Sequence, residues 1–131
     1  GREVKFDKGP QIFKLGTTEE ISRMLTEVVD TSLKNGTARL PNHSVAAKTG
    51  TAQIANPASG GYFEDEYLHS FFGYFPSYDA RFLIFLYTYH PLGVQYASET
   101  LTDSFVSLTK FLISYYNIAP DREAPPTYPV R

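Results

Sequence analysis

Two apolar, aromatic-rich runs joined by a short turn constrain the fold of this chain more than any other feature. The first run covers 69–75 and stops at Pro76, and the second covers 81–89 and is followed by Pro91. Proline cannot donate to a β-ladder, so each run ends as a strand ends. The short turn at 77–80 predicts antiparallel neighbours. The second strand is apolar almost throughout, which predicts that both of its faces are covered.

Apolar residues at helical spacing predict one helix before these strands and one after them. In the first helix the repeating residues are Ile21, Met24, Leu25, Val28, Val29 and Leu33. Thr17 and Glu20 predict a capping box at its start, and Gly36 predicts a C′ glycine at its end. In the second helix they are Leu101, Phe105, Leu108, Leu112 and Tyr115. This helix is predicted to end near Asn117 and Pro120.

A third strand is predicted around 45–54, where small and β-branched residues predominate. The stretch 55–68 holds a proline, a Gly-Gly pair and consecutive acids at 64–66. It is predicted to be a loop, which either acts as a lid over a site or is simply mobile. The consecutive antiparallel strands, with helices before and after, predict an α+β fold.

The composition is that of one folded unit. At 131 residues and 42% hydrophobic, the chain can hold one modest core. The formal net charge of −2 gives no reason to expect a nucleic-acid partner. The histidines, His43, His69 and His90, lack metal-ligand spacing, so we expect surface or strand-end residues and predict no metal and no cofactor. The absence of cysteine fits an exported bacterial protein and equally fits many cytosolic ones.

The candidate functional motif is Lys48-Thr49-Gly50-Thr51. An acyl-transfer enzyme needs oriented N–H donors where the oxyanion forms, and an edge strand carries unpaired N–H groups. Gly50 lacks a Cβ, so a ligand backbone could lie close to it. Lys48 brings a positive charge, and the hydroxyls of Thr49 and Thr51 can donate to a carboxylate.

Neighbouring residues of a strand point to opposite faces. The side chains of Lys48 and Thr49 can therefore serve one site only if the strand lines a cleft with its edge. The alternative interpretation of the motif is an ordinary strand with a solvated lysine and a glycine bulge.

The order of three segments, 36–38, 47–53 and 72–76, resembles the C-terminal part of penicillin-binding transpeptidases, which cross-link peptidoglycan. The ending at 118–121, Ile-Ala-Pro-Asp, is most similar to the class B, division-type members of that family. The resemblance covers roughly residues 17–122.

The resemblance implies roles for the motif residues. Lys48 would support the catalytic proton network, and Thr49 would hold the substrate carboxylate beside Gly50. The N–H of Thr51 would be one oxyanion donor and would also contact substrate. Ala47 is a mild departure, because the family usually has glycine just before the lysine.

The resemblance also implies that the chain is a piece of a domain. Residues 1–122 would be the C-terminal portion of the transpeptidase domain, and 123–131 a Pro-rich tail, extended or disordered. The family's S-x-x-K nucleophile motif does not precede the K-T-G here. Residues 107–110 fit S-x-x-K and 115–117 fit Y-x-N, but both follow the K-T-G, so we expect a surface hydroxyl and packing residues.

The implied reaction is serine acyl transfer to a neighbouring amine, with the peptidoglycan stem peptide as substrate and β-lactams as acylating ligands. The implied partners are the remainder of the transpeptidase domain and, as further candidates, divisome proteins. The implied location is the outer, periplasmic face of the bacterial cytoplasmic membrane, reached through an N-terminal anchor. Two alternatives stay open: a serine β-lactamase or β-lactam sensor fragment, which usually has a Trp-rich strand after the motif, and a non-catalytic interaction module.

Overall fold

The computed structural model describes residues 9–123, so all but the first residue of the predicted tail lies outside the described part. The elements are α1 (Leu15–Glu27), a π-helical turn (Val28–Ser32), a 3-10 turn (Leu33–Gly36), β1 (Ala46–Asn56), β2 (Gly61–Phe75), β3 (Phe82–Tyr89) and α2 (Ala97–Tyr115). The predicted α+β fold with antiparallel strands and flanking helices is confirmed.

The strands form one antiparallel sheet in the order β1-β2-β3. Phe72 on the central strand lies opposite Lys48 on one side and opposite Phe85 on the other. Within residues 9–123, β1 and β3 are therefore the two edges of the sheet.

One face of the sheet packs against α2 and forms the core. The ring of Phe105 in α2 stacks on Phe71 of β2, with centroids 4.3 Å apart. Both rings are buried, together with Phe75. Gly73 makes this possible, because a Cβ there would collide with the Phe105 ring and lie 2.8 Å from the Cβ of Ala47. The sequence around Gly73 thus fixes how closely α2 approaches the sheet.

The predicted capping box at the first helix is wrong. The helix begins at Leu15, so Thr17 lies inside the first turn and cannot cap it. The Thr17 N–H instead donates to the carbonyl of Lys14 at 3.0 Å. Glu20 pairs with Arg23 one turn later at 2.6 Å. That hydrogen bond and the charge of Arg23 lower the pKa of Glu20 below its ordinary value.

The first helix ends close to the predicted glycine, but not by a simple C-cap. Regular α-helix stops at Glu27, widens into the π-helical turn and then tightens into the 3-10 turn. Lys34 and Asn35 already have left-handed backbones, with φ of 48° and 55°, and Gly36 follows at 79°. The ammonium of Lys34 binds Asp103 of α2 at 2.6 Å. The end of this segment is thereby fixed to the second helix.

The predicted loop at 55–68 is wrong, because most of it is strand. Only 57–60 form a turn, and β2 starts at Gly61. The side-chain oxygen of Asn56 accepts from the N–H of Ala58 at 3.1 Å. The main-chain carbonyl of Asn56 accepts from the N–H of Gly60 at 3.1 Å. The acids at 64–66 sit in a ribbon that runs beyond the core, where polar side chains are compatible with a strand. A long lid over the site is therefore not formed.

The expectation that both faces of β3 are covered is also wrong within 9–123. Ile84 is buried under α2. The alternate side chains face away from that core: Leu83, Phe85, Tyr87 and Tyr89 are 63%, 58%, 68% and 65% exposed. The open face and open edge of β3 are what an incomplete sheet presents.

The predicted second helix is confirmed, with Leu101 and Phe105 buried on its inner side. It ends at Tyr115, and Asn117 follows with φ of 48°. Leu108 and Tyr115, predicted from the same periodicity, are exposed instead.

The segment after α2 returns to the start of β1 through a chain of polar contacts in which the two serines, Ser44 and Ser77, are buried. The carboxylate of Asp121 accepts from the N–H of Ser44 at 2.7 Å and from its hydroxyl. Ser44 Oγ in turn accepts from the N–H of Ser77 at 2.8 Å, and the hydroxyl of Thr26 donates to Ser77 Oγ at 2.7 Å. The Ile-Ala-Pro-Asp ending therefore has a structural role, since it ties the C-terminal segment to β1, to the turn after β2 and to α1.

Candidate active site

The K-T-G motif lies in β1, and within residues 9–123 no strand pairs with the outer side of β1. Within the described residues the motif is thus on an edge strand, which is the condition under which Lys48 and Thr49 can serve one site.

Hydrogen bonding across the sheet determines which main-chain groups of β1 face outward. The carbonyl of Tyr67 in β2 accepts from the N–H of His90, on the β3 side, at 2.9 Å. Main-chain groups alternate in direction along a strand, so Ser70 directs its groups toward β1. The partner of Ser70 there is Gly50, which therefore bonds inward.

Thr49 and Thr51, one step to either side of Gly50, consequently direct their N–H and C=O groups to the open edge. The carbonyl of Thr49 accepts from Nζ of Lys48 at 2.9 Å, which places the ammonium at that same edge. Two outward N–H groups and one cation thus lie side by side, in an arrangement that can bind an extended ligand and stabilise a developing negative charge.

The side chains of the motif divide between the two faces of the sheet. Lys48 is exposed on the face opposite α2. Thr51 lies on the α2 side, where its Oγ1 accepts from the N–H of Ala97 at 3.1 Å. A hydroxyl that accepts one hydrogen bond keeps its own proton, so Thr51 can still donate to a ligand.

Gly50 has a reason to be glycine within the sheet itself. A Cβ at this position would lie 2.5 Å from Oγ of Ser70 on the neighbouring strand. The closeness of a ligand backbone to Gly50 stays a prediction.

His69 was expected at the surface or a strand end, and this is wrong, because its side chain is 0% exposed. It lies opposite Thr51 in the centre of the sheet. Its Nε2 is 3.0 Å from the carbonyl of Gln95, and its Nδ1 is 3.0 Å from Oγ1 of Thr100. The alternation with Phe71 and the other inward residues of β2 is the signal that could have shown its burial.

His90 and His43 are peripheral. His90 lies just after β3, as expected of a strand-end residue, and faces Glu66 at 3.9 Å. His43 is half-buried, with Nε2 2.9 Å from the carbonyl of Ile118.

The S-x-x-K match at 107–110 lies in α2, and both Ser107 and Lys110 are exposed there, as expected of helix-surface residues. Of the aromatic pair that follows, the Tyr116 ring packs 4.8 Å from that of Phe82, whereas Tyr115 is 67% exposed. No group of His, Cys, Asp and Glu side chains able to hold a metal ion occurs among residues 9–123. In the same range, no helix is both long and apolar enough to cross a membrane.

Solved structures of penicillin-binding proteins are similar in fold to this chain. The chain is similar to the transpeptidase domain of penicillin-binding protein 3 from Burkholderia pseudomallei, with a TM-score of 0.70, 26% identity, and coverage of 87% of this chain and 34% of that one. It is also similar to penicillin-binding protein 3 from Mycobacterium tuberculosis in complex with ampicillin, with a TM-score of 0.65, 27% identity, and coverage of 81% and 25%.

The sequence comparisons lead to the same family. The model of the penicillin-binding protein transpeptidase domain matches residues 5–107. Penicillin-binding protein PbpB of Mycolicibacterium smegmatis is 33% identical over 63% of this chain and 14% of its own length. A peptidoglycan D,D-transpeptidase FtsI homolog of Nephroselmis olivacea is 31% identical over 91% of this chain and 16% of its own length.

The chain therefore belongs to the penicillin-binding protein transpeptidase family, and its relatives identify it as a fragment of the class B type. It spans 14% and 16% of the length of the two curated relatives named above. This family membership favours the transpeptidase interpretation over the β-lactamase and interaction-module alternatives.

Proposed function

We propose that residues 1–122 are the C-terminal portion of a serine D,D-transpeptidase domain, and that β1 supplies one wall of its active site. The observation that carries this proposal is the outward direction of the Thr49 and Thr51 main chain, with the ammonium of Lys48 at the same edge. The serine nucleophile would come from other sequence, so this chain by itself is inactive.

In the proposed reaction, the serine hydroxyl gives its proton to the proton network and attacks the carbonyl carbon between the two terminal D-Ala residues of the stem peptide, so the carbonyl oxygen becomes negative. The amide bond then breaks, the terminal D-Ala leaves with the proton, and the serine ester that remains is attacked by a neighbouring amine, which restores the serine. The N–H of Thr51 donates to the negative carbonyl oxygen, and the positive charge of Lys48 favours the ionised groups of the proton network. The hydroxyl of Thr49 donates to the terminal carboxylate of the substrate. The extended stem peptide lies along the outer edge of β1 as an added strand.

β-Lactams would enter the same site. The Mycobacterium tuberculosis relative was solved in complex with ampicillin and in complex with aztreonam, which supports β-lactams as ligands of this site. The family membership also supports the peptidoglycan stem peptide as substrate, with divisome proteins as candidate partners. The proposed location is the outer face of the bacterial cytoplasmic membrane, with the rest of the protein providing the anchor.

The remainder of the transpeptidase domain is the proposed partner of the open side of the sheet. Leu83, Phe85, Tyr87 and Tyr89 expose one face of β3, and Met24 of α1 is exposed as well. An exposed apolar surface of this kind marks an interaction site. Further strands and helices of the same domain would cover it.

The test uses the complete domain with its serine, incubated with a fluorescent penicillin. Lys48→Ala is expected to slow acylation about a hundred-fold or more, comparable to the loss of one oxyanion donor. Lys110→Ala is the matched control, because Lys110 is exposed on α2, and it should react at the wild-type rate. A folded Lys48→Ala variant that reacts at the wild-type rate would refute the site assignment.

A further inference from the structure

A fully buried histidine lies directly behind the proposed oxyanion donor. His69 is 0% exposed and faces the α2 side of the sheet opposite Thr51. Phe71 and Phe75 fill the same face further along β2 with aromatic rings. A polar ring in such a core is unfavourable unless its nitrogens are hydrogen-bonded, so a role in packing alone does not explain it.

Both nitrogens of His69 are in fact occupied, and by two different segments. Nε2 must carry the proton, because its partner, the carbonyl of Gln95 at 3.0 Å, can only accept. Nδ1 faces the hydroxyl of Thr100, in the first turn of α2, at 3.0 Å. His69 therefore holds the segment that leads into α2 and the start of α2 itself against the central strand.

The contact continues from Thr100 to the K-T-G strand. Thr100 has a single hydroxyl proton, which Nδ1 of His69 accepts, so the shared first helical turn is what joins Thr100 to Ala97, the first residue of α2. The N–H of the same residue donates to Oγ1 of Thr51 at 3.1 Å. Ala97 is completely buried between these contacts. The side chain of Thr51 is thus fixed by a helix end that His69 positions.

This fixation matters because β1 lacks a second neighbouring strand within residues 9–123. An edge strand is hydrogen-bonded on one side only. The direction of its outward N–H and C=O groups is therefore set by the residues that pack on its two faces. At Thr51, whose N–H faces the open edge, that packing partner is Ala97. A donor that stabilises an oxyanion must keep its direction during the reaction.

We infer that His69 is a positioning residue for the acyl-transfer site, acting through Thr100 and Ala97 to hold the outward N–H of Thr51 in its donating direction. The inference rests on the proposed function of the K-T-G edge. His69 itself touches no substrate. Disrupting the contacts should lower the rate constant of the acylation step and leave ligand binding unchanged.

The test measures stopped-flow acylation of the complete domain over a range of fluorescent penicillin concentrations, which separates the limiting rate constant from the half-saturating concentration. His69→Leu and Thr100→Val are each expected to lower the limiting rate constant about ten-fold, a modest share of the effect of misplacing a reacting group. The half-saturating concentration should stay within two-fold of wild type, as a rough bound. Thr100→Ser keeps the hydroxyl and should restore the wild-type rate.

The matched control is His43→Leu, because His43 also bonds a backbone carbonyl, that of Ile118 at 2.9 Å, away from the K-T-G motif. It should lower the melting temperature and leave the limiting rate constant unchanged. Thr100→Val tests the same contact if His69→Leu does not fold. If folded Thr100→Val has the wild-type rate constant and Lys48→Ala still shows its defect, the inference about His69 is overturned and the proposed function stands. A wild-type domain that the penicillin does not acylate would overturn the proposed function as well.

Discussion

Replacing Gly73 with alanine tests the packing that fixes α2 on the sheet. The new Cβ would collide with the Phe105 ring and lie 2.8 Å from the Cβ of Ala47. Side chains on two different elements, α2 and β1, must therefore move together. Overpacking of this kind costs about 1–3 kcal/mol. We expect a value near the upper end, because Phe105 and Ala47 are both buried.

The sign of the change in the free energy of unfolding shows whether the collision occurs. Without a collision, alanine in a strand interior is favoured over glycine by about 0.5–1 kcal/mol. Urea unfolding of the complete domain measures the difference in the free energy of unfolding. Gly16→Ala is the matched control, since nothing lies within 4 Å of a Cβ there and the residue is in α1. That change should be stabilising by about 0.5–1 kcal/mol.

A double-mutant cycle with Phe105→Leu tests whether the Phe105 ring is what the new Cβ meets. The shorter side chain removes ring atoms that the new Cβ would meet, so Gly73→Ala should cost less in the Phe105→Leu background than in wild type. A Gly73→Ala domain that is as stable as wild type, or more stable, would show that the ring does not pass over this glycine as described.

The remaining predictions concern the other contacts that hold the chain. Asp121→Ala removes the acceptor of the N–H and hydroxyl of Ser44; because Asp121 is exposed, water takes over part of its role, and the change should cost about 1–2 kcal/mol, measured by thermal unfolding, so that no loss of stability would refute this contact. Gly50→Ala should be destabilising because of Ser70, and Ser70→Ala should relieve part of that cost; an equal cost in both backgrounds would contradict the contact. Asn56→Ala should speed amide hydrogen exchange at 57–60 while 67–75 stay protected, whereas uniformly fast exchange over 55–68 in the wild type would favour the loop over the strand.

Local sequence patterns predicted the elements whose signals lie within a few neighbouring residues. The apolar runs at 69–75 and 81–89 became parts of β2 and β3, and the helical periodicity from Leu101 onward became α2. For Lys48-Thr49 the sequence predicted a strand but left its edge position as a condition, and within residues 9–123 that condition is met. Strands and helices of this kind can be predicted because their apolar residues repeat every two or every 3.6 residues along the sequence.

The failures occurred where the deciding partner is distant in the chain or lies outside it. The acids at 64–66 indicated a loop by composition, but Tyr67 and Tyr62 on either side of them pair with Gln53 and Ala55 of β1, and the acids lie in the irregular stretch between these pairs, within β2. Leu83 and Phe85 were expected to be covered, yet within 9–123 nothing lies over them, since an apolar pattern cannot say which chain supplies the cover.

The sequence by itself determined the order and type of the main elements, because these depend on side-chain periodicity and on the presence of glycine and proline. Only the tertiary structure decided that His69 is bonded to Gln95 and Thr100. The same holds for the contact of the Thr51 hydroxyl with the first residue of α2 and for the position of β1 at a sheet edge within residues 9–123. Such contacts join residues far apart in the chain, and their distances and directions are set by packing rather than by any local pattern.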